Sequence, residues 1–108
     1  MQHSPIHLPR EVIKRAGQRA PFDAAKILSA LVRAGAASGE FADDEAALLC
    51  AQVGKVLIHR FHGQAPTIEQ IQDVVEQTLI AANHFQTARA YAVYRERHAT
   101  LRADHQTL

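Results

Sequence analysis

One short stretch of the chain, "VIKRAGQRAPFDAAKI" at residues 12–27, contains four cations that together could bind an anion. Lysine is a flexible point charge suited to phosphate, whereas arginine can make forked contacts to phosphate oxygens. Backbone amides at a tight turn and at a helix N-terminus donate to the same kind of ligand. The stretch therefore indicates a phosphate site, with a merely basic surface hairpin as the alternative. The charged residues are Lys14, Arg15, Arg19 and Lys26, with Asp23 as a carboxylate that could equally be a simple helix cap.

The segment "ARAYAVYRERHATLR" combines aromatic and cationic side chains on one helical face. Tyr91, Arg95, His98 and Arg102 recur at i, i+4, i+7 and i+11, which is the spacing of neighbours on one side of a helix. An aromatic ring can line a nucleobase, and a cation can meet a phosphate. The alternative is that Tyr91 and Tyr94 pack in the core while the arginines are solvated.

No catalytic or metal-binding set can be assembled from the sequence. His59 and His62 are three residues apart, but they lack the further ligands that a metal site needs. Gly54 and Lys55 do not form a phosphate-binding loop of the Walker type, because Val56 stands where serine or threonine is required. The sequence therefore predicts a binding site, with no catalytic residues and no metal ligands.

Charge is distributed unevenly along the 108 residues, although the net charge is only +1. Residues 10–26 and 89–102 each carry +3, and residues 27–88 between them carry −4. A fold that joins the two basic segments would create a local anion site. The hydrophobic content of 47% is typical of one globular domain, and no apolar run approaches a membrane span. With no signal-peptide pattern and a single cysteine, the cytoplasm is the expected location.

The pattern of turn and capping residues predicts a hairpin followed by four helices. Residues 1–10 are predicted to form an irregular leader, and "EVIKR" and "QRAPF" to form two short strands about the turn at Ala16 and Gly17. Asp23 is a suitable N-cap for a first helix over 24–36. Its predicted apolar stripe consists of Ile27, Leu28, Leu31 and Val32.

Three more helices follow from the apolar spacing. The second is predicted from Asp43 and Asp44 to about Arg60, since carboxylates favour a helix N-terminus. Thr67 caps the third, and the fourth covers about 86–102. The predicted fold is mainly α with a small β cap. The predicted inward residues of the second and third helices are Leu49, Val53, Val56, Leu57, Phe61, Ile68, Ile71, Val75 and Leu79.

Three segments in this order, "VIKRAGQRAPFDAAKI", "TIEQIQDVVEQTL" and "ARAYAVYRER", closely resemble the ATP-cone domain over residues 11–103. The resemblance implies a four-helix ATP-cone with an N-terminal β-hairpin, and it leaves residues 104–108 as a tail or the start of a linker. It also implies a nucleotide site in which the cations contact phosphates, the apolar residues wall the adenine and Asp23 faces the base or ribose. The implied site residues are Val12, Lys14, Arg15, Asp23, Lys26, Ile27, Ile71, Arg95 and His98.

The resemblance implies a regulatory role, because the ATP-cone controls the overall activity of ribonucleotide reductases. ATP or dATP would be the allosteric effector, with Mg²⁺ as an expected companion of the triphosphate. The implied partners are the catalytic domain of a parent enzyme, most similar to the anaerobic ribonucleoside-triphosphate reductase, and other copies of the cone. Alternatives are the cone of another reductase class, a solitary cone, or a basic helical nucleic-acid-binding module, which the low net charge disfavours.

Overall fold

The structure, a computed structural model, describes the backbone of residues 7–107 and the side chains of residues 7–98. Two short antiparallel strands are followed by four helices, as the sequence predicts. Most of the leader, residues 1–6, and residue 108 lie outside the described residues. The elements are β1 (Glu11–Ile13), β2 (Arg19–Pro21), α1 (Ala24–Ser38), α2 (Asp43–Phe61), α3 (Ile68–Ala81) and α4 (Phe85–Thr107).

The hairpin is short and is held to the helices by backbone hydrogen bonds. Val12 pairs with Ala20 in the antiparallel register, and Gly17 adopts φ 90°, which glycine reaches without strain. The Ile13 amide donates to the Pro66 carbonyl at 2.8 Å. Because Pro66 directly precedes Thr67, the N-cap of α3, this bond fixes the end of β1 beside the N-terminus of α3.

Local capping explains where α1 and α3 begin. The Asp23 side chain accepts a hydrogen bond from the Ala25 amide at 3.0 Å, as an N-cap does. Thr67 and Gln70 form a reciprocal capping box at the start of α3. Both starts agree with the sequence prediction. Helix α1 continues to Ser38, where Gly39 in the left-handed region at φ 75° ends it.

Each helix packs against the next, and α4 returns to contact α1, so the four helices enclose one apolar core. The predicted inward positions on α2 and α3 are confirmed as buried or partly buried. On α1, however, Leu28 is 36% exposed, because it lies at the rim of an apolar cavity between α1 and α2 rather than beneath the helix. The fully buried aliphatic side chains are Leu31, Val53, Leu57, Val74, Val75 and Leu79.

The start of α4 is capped by a distant residue. The Glu40 carboxylate accepts from the Thr87 amide at 2.8 Å and from the Thr87 hydroxyl at 2.6 Å, and its second oxygen accepts from the Gln86 amide. Thr87 is fully buried, and its hydroxyl also lies 2.6 Å from Ser38 Oγ. The loop between α1 and α2 therefore supplies the partners for the free amides at the N-terminus of α4.

We expect Glu40→Gln to reduce the loss of folding stability that occurs as the pH falls into the acid range. The Thr87 hydroxyl bond is the largest influence, and it holds the pKa of Glu40 below its ordinary value of 4.5 despite the opposing effect of burial. An acid with a lowered folded pKa stabilises the fold above the unfolded pKa, and this contribution disappears as pH falls through the folded pKa. Melting temperatures at pH 7 and pH 3 should differ less in the variant than in the wild type. Glu11→Gln, which removes an exposed carboxylate of β1 whose ion pair with Arg19 contributes little, is the control. An unchanged difference between the two pH values in Glu40→Gln would contradict this role.

Candidate functional site

Two of the predicted phosphate-binding arginines converge on the same part of α3. Arg15, from the hairpin turn, places Nη2 3.1 Å from Glu69 Oε2. Arg95, from α4, donates from Nη2 to the backbone carbonyl of Glu69 at 3.3 Å. Both arginines border one open cavity of about 390 Å³, which is within the range of small-ligand sites. The fold therefore joins the two basic segments of the sequence at this cavity.

Arg95 is held mainly by carboxylates of α3. Its Nη1 donates to Asp73 Oδ1 and to Glu76 Oε1, each at 2.9 Å, and its side chain is only 19% exposed. Burial acts to lower the pKa of Arg95, but the hydrogen bonds to Asp73 and Glu76 outweigh it and raise the pKa above its ordinary value. Arg95 is therefore a permanent cation, and it joins α4 to α3.

Sequence reasoning missed the three carboxylates that hold these arginines. Glu69, Asp73 and Glu76 are spaced i, i+4 and i+7, so they lie on one face of α3. That spacing was a usable signal, and so was the negative charge of residues 27–88. What the spacing does not reveal is that this face lies against Arg15 and Arg95. We call these three residues the α3 carboxylates.

The two predicted lysines differ from the arginines in having no carboxylate partner within the described residues. Lys14 follows β1 directly, and its backbone closes the turn through bonds to Gln18 and Gly17. Lys26 lies in the first turn of α1. Both side chains are exposed. A lysine without a carboxylate partner is free to contact an anion without first breaking an ion pair.

The predicted apolar wall belongs to the core beneath the hairpin. Val12 and Ile71 are 9% and 8% exposed, and Ile27 packs partly buried against the same cluster. Ile27 also borders a different cavity, of about 340 Å³, between α1 and α2. These three residues thus share one apolar cluster, whereas the cavity beside Arg15 and Arg95 is bordered by none of them.

The aromatic face of α4 is divided between core and surface. Tyr91 is 5% exposed, and burial is the main reason that its pKa rises to about 12. Tyr94 is 38% exposed, with its ring centroid 4.1 Å from that of the predicted phosphate contact His98. The core alternative therefore holds for Tyr91, but Arg95 is bound to carboxylates rather than solvated.

Residues 7–98 contain no group of three or more His, Cys, Asp or Glu side chains arranged to hold a metal ion. No described helix is long and apolar enough to cross a membrane. A second open groove, of about 570 Å³, lies between α2 and α3, and no predicted site residue borders it.

Comparison with known proteins identifies one family and several reductases. The sequence model of the family described as the ATP cone domain matches residues 10–100. The chain is 35% identical over 100 residues to the ribonucleoside-diphosphate reductase subunit alpha of Chlamydia muridarum, covering 84% of this chain and 10% of that protein. It is 38% identical over 87 residues to the anaerobic ribonucleoside-triphosphate reductase of Haemophilus influenzae, covering 78% and 12%.

A third relative belongs to another reductase class. The vitamin B12-dependent ribonucleoside-diphosphate reductase of Mycobacterium tuberculosis is 38% identical over 97 residues, covering 90% of this chain and 13% of that protein. The chain thus spans 10–13% of the length of these three relatives. The similarity is to one small part of large enzymes of several classes.

Proposed function

This chain belongs to the ATP-cone family, and from that premise we propose that it binds ATP or dATP and thereby controls the overall activity of a ribonucleotide reductase. The observation that carries the proposal is the convergence of Arg15 and Arg95 on one open cavity, from opposite ends of the sequence. Both guanidinium groups can make forked contacts to phosphate oxygens once they exchange their present carboxylate partners.

Each residue of the proposed site has a role that its chemistry suits. Lys14, Arg15, Lys26, Arg95 and His98 contact the triphosphate, accompanied by Mg²⁺. Asp23 faces the base or ribose while it caps α1. Val12, Ile27 and Ile71 form the apolar wall for adenine, and in this proposal the base therefore lies under the hairpin, next to the core cluster that contains them. Residues 11–103 form the proposed binding unit, and residues 104–108 are a tail or the start of a linker to the parent.

The parent that we propose is the anaerobic ribonucleoside-triphosphate reductase, and the similarity to the Haemophilus influenzae enzyme of that name supports it. The aerobic and vitamin B12-dependent reductases are the alternative parents, and a solitary cone is a further alternative. The proposed partners are the catalytic domain of the parent and other copies of the cone. The proposed location is the cytoplasm, where the nucleotides are found.

Regulation by this site requires that the difference in binding free energy between ATP and dATP be amplified, because the two nucleotides differ by one hydroxyl group. One hydrogen bond contributes about 0.5–1.5 kcal/mol, or about tenfold in affinity at most. Moving a two-state population from 1:99 to 99:1 needs about 5.5 kcal/mol of differential affinity. The remaining energy must come from the way in which the cone packs against its partners.

Titration calorimetry of the chain with ATP, dATP and GTP tests the proposal. We expect ATP and dATP to bind with affinities within about tenfold of each other, since only one hydrogen bond separates them. GTP should bind more weakly, because it presents a different base to the same apolar wall. No binding of either adenine nucleotide would overturn the proposed function, and a thousandfold difference between ATP and dATP would overturn the need for amplification.

A further inference from the structure

We propose that the α3 carboxylates compete with nucleotide phosphates for Arg15 and Arg95. This competition sets the affinity of the site for the nucleotide, and nucleotide binding breaks the contacts of Arg95 that join α4 to α3. This inference rests on the proposed function, and it concerns three residues to which the sequence assigned no role. It follows from the ion pairs around the cavity, which occupy the groups that a triphosphate would need.

Geometry places the competition at the cavity itself. Glu69 contacts both arginines, with its carboxylate on Arg15 and its backbone carbonyl on Arg95. Glu69, Glu76 and both arginines border the open cavity of about 390 Å³. A phosphate that entered there would meet guanidinium groups whose donors already point at carboxylate oxygens. Binding at these donors therefore exchanges one anionic partner for another.

The two arginines should yield to phosphate to different extents. The Arg15–Glu69 pair is well exposed, at 43% and 39% of the side chains, and exposed ion pairs contribute little. Arg95 is more firmly held, because it is 19% exposed and makes charge-assisted bonds to Asp73 and Glu76. Arg15 is the easier contact to exchange, and Arg95 is the one whose release changes the structure.

Arg95 couples the site to helix packing. It is the residue of α4 that bridges to Asp73, Glu76 and the Glu69 carbonyl, all of which belong to α3. If the phosphate takes over its donors, α3 and α4 lose these polar contacts. A ligand can shift a conformational equilibrium only through such a difference in contacts. The exchange at Arg95 supplies one.

A double-mutant cycle on Asp73 and Arg95, read by calorimetric titration with ATP, tests the inference. Asp73 is 56% exposed, so Asp73→Asn keeps shape and removes one competing charge. We expect it to tighten ATP binding about three- to tenfold, as loss of an ion pair of this kind allows. In the Arg95→Ala background the same substitution should change affinity less than about twofold, because the two residues act as one unit.

Two further measurements make the result unambiguous. Asp43→Asn removes the same charge from the start of α2, outside the cavity, and should leave the affinity unchanged. Glu69→Gln, tested with and without Arg15→Ala, is an independent cycle in case Arg95→Ala fails to fold. It should show coupling of the same sign but of smaller size, because the Arg15–Glu69 pair is exposed.

Two other outcomes would contradict the inference, and a third would contradict the proposed function as well. Unchanged or weaker ATP binding by Asp73→Asn would overturn the inference, because Asp73 would then only orient Arg95. Tightening that persists in the Arg95→Ala background would overturn it too, because it would be a general charge effect. If the wild-type chain does not bind ATP, the proposed function fails and the inference fails with it. If the chain binds ATP but the substitutions of the α3 carboxylates leave the affinity unchanged, the inference alone fails.

Discussion

Lys14→Ala and Lys26→Ala are each expected to weaken ATP binding by about tenfold to a hundredfold. A charge-assisted hydrogen bond to an ionised group contributes about 1.5–3 kcal/mol, and about 1.4 kcal/mol corresponds to a tenfold change in affinity. Both lysines are exposed, and neither has a carboxylate partner within the described part of the chain. No ion pair therefore has to be broken before either lysine contacts the phosphates. Titration calorimetry with ATP measures the loss directly.

Lys55→Ala is the matched control for these two variants. Lys55 is also an exposed lysine, but it borders the groove between α2 and α3 and the cavity between α1 and α2 rather than the cavity beside Arg15 and Arg95. The substitution removes the same charge and should change ATP affinity less than about threefold, as a distant exposed charge does. An equal loss in all three variants would show that only net charge matters. Unchanged affinity in Lys14→Ala and Lys26→Ala would remove both from the phosphate site.

Leu79→Ala is expected to destabilise the fold by about 2–5 kcal/mol, the usual range for emptying a buried leucine site. Leu79 is completely buried near the C-terminal end of α3, on the side that faces the core. The same helix presents the α3 carboxylates to the proposed site. Urea unfolding followed by circular dichroism gives the free energy of unfolding.

The neighbouring residue provides the comparison for Leu79. Ile80 is a similar aliphatic side chain that is 46% exposed, so Ile80→Ala should cost less than about 1 kcal/mol. The two substitutions together test the register of α3, because a rotation of the helix by one residue would exchange their effects. Equal losses for Leu79→Ala and Ile80→Ala would contradict this register.

The elements that could be predicted from the sequence are those with local signals. Asp23 and Thr67 mark the starts of α1 and α3 because a side-chain oxygen bonds to amides only two or three residues away. The apolar spacing of α2 and α3 fixes which face is buried. Helix α4 has a weaker apolar pattern, and nothing between Arg102 and Thr107 is a glycine or proline that would stop it. Its end at Thr107 therefore lies beyond the predicted one near Arg102.

The parts that could not be predicted depend on contacts between distant residues. Glu40 caps α4 across 47 residues of chain, and no local rule connects it with Thr87. Arg95 meets Asp73 across 22 residues, and that contact requires the packing of α4 on α3. The type and position of the cations were visible in the sequence, but their neighbours were not. The competition at Arg95 could be recognised only after the helices were placed.

The most direct test of the central claim is to map ATP binding by the change in backbone amide NMR shifts along the chain. We predict changes concentrated in residues 12–18, 23–27, 69–76 and 92–98, which contain the residues of the proposed site and the α3 carboxylates. Residues 46–58 of α2 should change little. Changes confined to the groove between α2 and α3, or no change at all with ATP, would contradict the assignment of this site as the nucleotide site.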